Sequence, residues 1–242
     1  MTVVVGLVLV FVAIGFAGKR QAAREIQEVS INVSNREGNF FIDEQEIQGI
    51  LNEAAGMVFG NKAGAIDLKE MEMQVEANAF VKKAEVYHDI AGNLVVNVTQ
   101  SQPIGRLLNY DGSDMYVDVD GFIFPLNAQH TARVPIIEVE GDPAWNTQIT
   151  ETSLGADLLA LLKFIGKDEF WRAQIAHIVV EEQGEVVMIP QVTKQQIVFG
   201  APNDLERKFE KLRVFYKEIL PAKGWNTYSY VNLKFENQIV CK

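Results

Sequence analysis

The first eighteen residues constrain this chain most, because they carry no charge and are almost entirely apolar from Val3 to Phe16. As a helix such a segment would extend roughly 27 Å, close to the ~30 Å hydrocarbon core of a bilayer. A cleaved signal peptide needs a basic region before its apolar stretch and a small-x-small cleavage site, whereas the first basic residue is Lys19 and Phe16-Ala17-Gly18 is a poor cleavage site. The sequence therefore predicts a single uncleaved transmembrane anchor over residues 1–18 and a linker over 19–28. The basic residues after the anchor leave its orientation open.

The rest of the chain has the composition of a globular protein. Of the 242 residues, 48% are hydrophobic and 22% are charged, which excludes a mainly disordered chain. A formal net charge of −10 argues against a nucleic-acid-binding protein, since such a protein needs a basic surface for phosphates. The single cysteine, Cys241, excludes an internal disulfide and a multi-cysteine zinc site.

Residues 29–102 show the pattern of a compact β-α-α-β-β unit. Alternating apolar residues predict a first strand, and Asp43 and Asp67 stand where each of two helices would begin. Two further strands, Val81–Asp89 and Leu94–Gln100, flank a turn with the composition of a hairpin. We expect a three-stranded sheet with two helices on one side. Its predicted core consists of Ile47, Leu51, Leu68, Val75, Val81, Val86, Val96 and Val98.

Residues 103–242 indicate a mixed β-domain with helices, which makes the fold class α+β. Asp111-Gly112 and Asp120-Gly121 lie between short alternating apolar stretches and predict two hairpins. Downstream, the sequence predicts a helix over 154–164, three strands between 175 and 199, and a long helix that begins at Asn203 or Asp204. We expect Pro221 and Gly224 to end that helix, and residues 225–240 to form a terminal strand.

The acidic residues around the second hairpin are the strongest candidates for chemistry. Asp114, Asp118 and Asp120 precede Gly121, as acids do in a calcium loop. With this glycine at loop position 6, however, position 12 would be Asn127, which cannot ligate bidentately. A glycosidase pair would need one acid in a hydrophobic pocket, and these acids alternate around a turn. Hairpin-turn acids are therefore the better interpretation.

No other set of residues predicts catalysis. The histidines His88, His130 and His177 lack the spacing of a zinc site, and no serine stands in a G-x-S-x-G motif. Neither a P-loop nor a G-x-G-x-x-G sequence is present. We therefore expect no catalytic residue, no cofactor and no bound metal, and interpret the chain as a binding protein.

Several strings, in order along nearly the whole chain, resemble the bacterial cell-division family FtsQ, called DivIB in some bacteria. Residues 78–86 (NAFVKKAEV) resemble the family's P-W-V-x-x-A-x-V, and residues 94–105 (LVVNVTQSQPIG) its L-x-I-x-V-x-E-x-x-P-V-A. Residues 116–125 (YVDVDGFIFP) are similar to its Y-x-x-D-x-x-G-x-x-F. Lys211-Leu212 and the tail 230–235 (YVNLKF) resemble its K-L and Y-V-D-L-R-Y. The chain is identified as a divergent member.

This resemblance implies a POTRA domain over 29–102 and a β-domain over 103–242. It also implies a scaffold in the bacterial cytoplasmic (inner) membrane, single-pass and mostly periplasmic, located at the division septum. In the family the β-domain recruits the small bitopic coiled-coil proteins FtsB and FtsL by β-strand augmentation, and the POTRA domain contributes to contacts with other divisome membrane proteins.

The strand that matches the family's partner-binding strand runs over Tyr228–Ile239. We expect Val231 and Leu233 to face the core, because side chains alternate along a strand, and Phe235 to anchor the partner. The predicted partner-binding residues are Tyr228, Tyr230, Asn232, Lys234, Phe235, Glu236, Asn237 and Gln238.

Two other classes of protein were weighed against this scaffold. A POTRA-bearing periplasmic chaperone or translocation factor would receive unfolded β-chains by the same edge pairing, but would be expected to carry several POTRA units, and the sequence predicts one. A membrane-anchored hydrolase would require an acid–base constellation that the sequence does not contain.

Overall fold

The computed structural model describes residues 22–34, 38, 40–56, 58–109 and 111–242. The chain forms two compact units, one ending at Ser101 and the other spanning Gln102–Lys242. The predicted anchor, 1–18, and residues 19–21 of the predicted linker lie outside the described residues. Within the described ranges, no helix combines the length and hydropathy needed to cross a membrane.

The first unit has the predicted order β-α-α-β-β. Its strands are β1 (Val29–Ser34), β2 (Val81–His88) and β3 (Leu94–Gln100), and its helices are α1 (Glu44–Ala55) and α2 (Leu68–Glu76). A short 3-10 turn, Ala63–Ala65, precedes α2. The strands are ordered β1-β3-β2, with β1 parallel and β2 antiparallel to the central β3.

Acidic side chains fix the start of both helices of this unit, as predicted. The Asp43 carboxylate accepts the Glu46 backbone N–H at 2.9 Å, and the Glu46 carboxylate accepts the Asp43 N–H at 3.2 Å. Asp67 accepts the N–H groups of Lys69 and Glu70, both at 3.1 Å. Each acid satisfies backbone donors that lack a helical partner and lies at the positive end of the helix dipole.

The core of the first unit lies between the sheet and the two helices. All the predicted core residues are buried except Leu68, which is half-buried and packs against the others. At the far end of β3 the buried Gln100 side-chain oxygen accepts the N–H groups of Phe41 and Ile42, at 2.9 and 3.1 Å. Gln100 thereby ties the residues that lead into α1 to the end of the central strand.

Residues 22–28, predicted as part of a linker, are bonded to the first unit. Ile26 is fully buried, its N–H donates to Asn61 O and its carbonyl accepts the Gly60 N–H, both at 2.9 Å. The Arg24 guanidinium donates to the carbonyls of Ile90 and Ala91. A buried apolar side chain and paired backbone groups outweigh the polar composition from which a linker was predicted.

The second unit is built on a nine-stranded sheet of order β12-β11-β10-β9-β8-β7-β4-β5-β6. In chain order the strands are β4 (Pro103–Leu107), β5 (Met115–Asp118), β6 (Ile123–Pro125), β7 (Ile136–Val139), β8 (Ile175–Val180), β9 (Val186–Pro190), β10 (Gln196–Gly200), β11 (Tyr230–Asn232) and β12 (Val240–Cys241). The helices are α3 (Ser153–Lys167), α4 (Glu169–Gln174) and α5 (Leu205–Val214), with a 3-10 turn at Ile149–Glu151.

The helix that begins at α5 ends at Gly224, one of the two residues predicted to stop it, and continues past the other, Pro221. After α5 the backbone forms a π-helical turn, Phe215–Ile219, and then a last helical segment, α6 (Leu220–Lys223). The Leu220 N–H donates to Phe215 O across this wider turn. Pro221 is the second residue of α6 and so directly follows this wider turn.

Candidate functional site

The sequence predicts a terminal strand over residues 225–240, which includes the partner-binding strand Tyr228–Ile239. The structure does not form this segment as a single strand. β11 is three residues long and lies inside the sheet, parallel to β10 on one side and antiparallel to β12 on the other. After β11 the chain bends at Phe235–Asn237 and returns as β12. The outermost strand of the sheet on this side is therefore β12.

Side-chain bonds from within the segment and from α5 accompany the early end of β11. The Asn232 side-chain oxygen accepts the Lys234 N–H at 2.9 Å, an Asx turn that competes with the strand ladder. The Lys211 ammonium, on α5, donates to the carbonyls of Leu233 and Phe235, at 2.6 and 2.7 Å. The Asx turn and the bonds from Lys211 engage backbone groups of residues 233–235, and the backbone turns after β11.

The inner face of this region belongs to the core, as predicted. Val231 and Leu233 are fully buried, in one apolar cluster with Phe209, Leu212 and Phe215 from α5 and the π turn. Burying each of these aliphatic side chains contributes roughly 1.5–3 kcal/mol to folding. β11 is therefore held both by its pairing with β10 and β12 and by the burial of its inner face.

The residues that follow β11, which we call the terminal loop (residues 233–239), are tied to the unit by charged side chains. Besides Lys211, these contacts are Lys234 with Glu185 at 2.6 Å and Arg207 with Glu236 at 3.6 Å. Burial lowers the pKa of the Lys211 ammonium below its usual value. Lys234 and Glu236, predicted to bind a partner, thus have intramolecular ion-pair partners.

The structure divides the predicted partner-binding residues into two groups. Three of them, Tyr228, Tyr230 and Asn232, are half-buried at β11, and the Tyr228 ring lies 6.0 Å from that of Phe215. The other five lie exposed in the terminal loop: Lys234, Phe235, Glu236, Asn237 and Gln238. The Phe235 side chain is 47% exposed. These residues do not line one continuous strand edge.

The backbone at the sheet edge comes from residues that the sequence analysis did not single out. Lys242 N–H donates to Tyr230 O, and Tyr230 N–H donates to Lys242 O, both at 3.2 Å. Since successive residues of a strand turn their backbone groups to opposite sides, Cys241 directs its N–H and C=O away from β11. The short apolar stretch Ile239-Val240-Cys241 is the only sequence signal for this edge. Burial raises the pKa of the Cys241 thiol, which keeps it protonated at neutral pH.

Asp114 and Asp118, two of the acids that precede Gly121, have structural partners, in line with their interpretation as turn acids. Asp118 is buried and accepts the N–H groups of Asp120 and Phe122 at 2.8 and 2.9 Å. Asp114 pairs with Arg106 at 2.6 Å. No group of three or more potential metal ligands occurs in the part of the chain that the structure describes.

Comparison with known proteins places this chain in a family. The family model "FtsQ/DivIB, C-terminal related" matches residues 102–242, more than half of the chain, and a POTRA-like domain matches residues 25–99. The chain is 24% identical over 198 residues to the cell division protein FtsQ of Rhodothermus marinus, covering 80% of this chain and 72% of that protein. It is 23% identical over 197 residues to FtsQ of Geotalea daltonii, covering 78% and 68%. The chain therefore belongs to the FtsQ/DivIB family of cell-division proteins.

Proposed function

We propose that this protein is a non-enzymatic, membrane-anchored scaffold that recruits small bitopic coiled-coil division proteins, similar to FtsB and FtsL, to the septum. In this proposal residues 1–18 form a single anchor in the bacterial inner membrane, and most of the chain is periplasmic. A POTRA domain extends to residue 102 and contacts other divisome membrane proteins. The β-domain, 103–242, binds the coiled-coil proteins.

The observation that carries the proposal is the short outer strand β12. A strand at a sheet edge offers unpaired N–H and C=O groups, to which an extended peptide can add as a further strand. Cys241 directs its backbone groups to that side. We propose that the partner strand pairs along residues 239–241, outside β12, and not along Tyr228–Ile239. Such pairing requires no change in the buried contacts of β11.

Specificity at such an edge comes from side chains near the added strand. Phe235 is the one large apolar side chain of residues 228–242 that lies exposed, and an aromatic side chain supplies a large contact area to a partner. Lys234 and Glu236 beside it would bring polar groups to the rim of the contact. Phe235 is therefore proposed as the side-chain anchor, and β12 as the backbone template.

The first test concerns the anchor. Phe235→Ala should weaken binding of an FtsB-like periplasmic segment about tenfold or more, because a lost aromatic hot spot typically costs about 2 kcal/mol. Isothermal titration calorimetry measures this loss. The matched control is Phe122→Ala, because Phe122 is 49% exposed and lies beside β6, at the opposite edge of the same sheet. Equal affinities for the two variants would show that the partner docks elsewhere.

The second test concerns the backbone template. Cys241→Pro removes the outward N–H while Cys241→Ala keeps it, because proline has no backbone donor. Proline should lower the affinity for the same segment about tenfold, through the lost hydrogen bond and the steric block to the added strand. Alanine should leave the affinity unchanged. Undiminished binding by the proline variant would contradict augmentation at β12.

A further inference from the structure

Two loops lie together at one end of the first unit and enclose the residues through which the chain enters it. We call residues 58–62 and 89–93 the entry loops. Gly60 N–H donates to Ile26 O at 2.9 Å, and the Arg24 guanidinium donates to Ile90 O at 2.9 Å. The His88 ring nitrogen Nε2 lies 3.1 Å from Ala63 O, which links the ends of the two loops. Both loops are thus bonded to the short segment 24–26.

Each entry loop carries an exposed apolar side chain. Phe59 is 63% exposed and Ile90 is 95% exposed. A single exposed apolar residue is ordinary on a protein surface. Here, however, the loops that carry these two side chains are both bonded to residues 24–26, which follow closely on the apolar N-terminal segment. Within the described part of this unit Ile90 is the most exposed large hydrophobic residue.

The chain offers little length between this point and the N-terminal segment. Ala22 already packs on the unit, since a Cβ built on Gly64 would lie 2.7 Å from the Ala22 Cβ. Only residues 19–21 separate it from the uncharged stretch that ends at Gly18. The four residue steps from Gly18 to Ala22 reach about 14 Å at most, and the polar headgroup layer of a bilayer is itself about 5–8 Å thick. The entry loops are therefore held at the membrane surface if residues 1–18 span the bilayer.

We propose that Phe59 and Ile90 insert into the lipid interface of the bilayer that the anchor crosses, so that the first unit stands on the membrane by its entry loops. This inference rests on the anchor of the proposed function. The charges at this end have both signs: Arg24, Lys62, Glu25, Glu28 and Asp89. Apolar burial, rather than attraction to anionic headgroups, is therefore the mode of contact.

The unit provides a matched control at its other end. Phe40 is 60% exposed, close to the value for Phe59, and precedes Phe41, whose N–H is bonded to Gln100 at the end of β3. The entry loops adjoin the other end of β3, where Leu94 N–H donates to Glu28 O. The seven residues of β3 separate the two ends by about 20 Å. Phe40 should therefore remain in water.

The test uses the full chain in vesicles of phosphatidylethanolamine and phosphatidylglycerol. In a Cys241→Ser background, single cysteines replace Phe59, Ile90 or Phe40 and carry an environment-sensitive fluorophore, and nitroxide-labelled lipid is the quencher. We expect several-fold stronger quenching at positions 59 and 90 than at position 40, with no loss when salt is raised. A polar Phe59→Ser change should weaken quenching at position 90, whereas Phe40→Ser should not.

Equal quenching at the three positions, or quenching abolished by salt, would overturn this inference. A chain that fails to float with the vesicles would overturn it together with the anchor. The titrations with Phe235 and Cys241 variants use a different unit and contain no lipid, so their failure would leave the lipid contact standing and would count only against partner recruitment.

Discussion

Val96→Asp is expected to unfold the first unit. Val96 is fully buried at the centre of β3, between Ile31 of β1 and Val86 of β2. An aspartate there would place a carboxylate without a partner in an apolar core, which costs several kcal/mol. That loss is a large fraction of the ~5–15 kcal/mol by which a domain is stable. Amide hydrogen exchange of β1, β2 and β3 measures the outcome.

Asn97→Asp is the matched control, because Asn97 is the next residue on the same strand and turns to the other face. Its side-chain oxygen accepts the Asn32 amide at 3.0 Å, and an aspartate keeps that acceptor. The new carboxylate stands opposite Glu85 of β2, so we expect a loss of at most about 1 kcal/mol and nearly unchanged exchange. Retained protection in Val96→Asp would mean that the core tolerates the charge and that our account of β3 is wrong.

Gly155→Ala is expected to destabilise the second unit by several kcal/mol. A Cβ at this position would lie 1.7 Å from the Ile149 carbonyl oxygen and 2.6 Å from the Ile149 carbonyl carbon. Both atoms are backbone of the 3-10 turn that packs on the start of α3, so that relief requires the turn or the helix to move. Thermal unfolding followed by circular dichroism measures the effect.

Gly166→Ala, in the same helix, supplies the opposite expectation. A Cβ there meets no atom within 4 Å and Gly166 lies exposed near the helix end. Alanine should stabilise the protein by up to about 1 kcal/mol, because it restricts the unfolded chain more than glycine does. A Gly155→Ala variant that melts at or above the temperature of Gly166→Ala would show that the Ile149 turn is free to relax.

The parts of the fold that the sequence predicts are those set by local patterns. Asp43 and Asp67 mark helix starts because the bonds they accept lie two or three residues away. The order of the first unit follows from its alternating strands. Gly155, in contrast, resembles any helical glycine until the backbone packed against it is known, and the same holds for Pro221 beside the π turn.

The candidate site shows the same division between local and distant contacts. The alternation of residues 230–235 predicts correctly that Val231 and Leu233 are buried. It predicts the length of the strand wrongly, because some of the bonds that accompany its end come from Lys211, more than twenty residues earlier. A two-residue strand such as β12 is too short to produce a periodic pattern, so the edge was not recognisable from sequence.

The position of β11 beside β10 has a consequence for the order in which this sheet is assembled. β10 and β11 are parallel neighbours, and α5, the π turn and α6 connect them. β11 and β12 follow these helices and are the last strands in chain order. Val231 and Leu233 belong to the main apolar cluster of this unit. Ile239 and Cys241, in and beside β12, pack against the same cluster. During synthesis from N- to C-terminus, the edge proposed to bind partners therefore arises only when the core itself is closed. Recruitment would then report the completed folding of the scaffold, and a truncated or stalled chain would not be incorporated into the division complex.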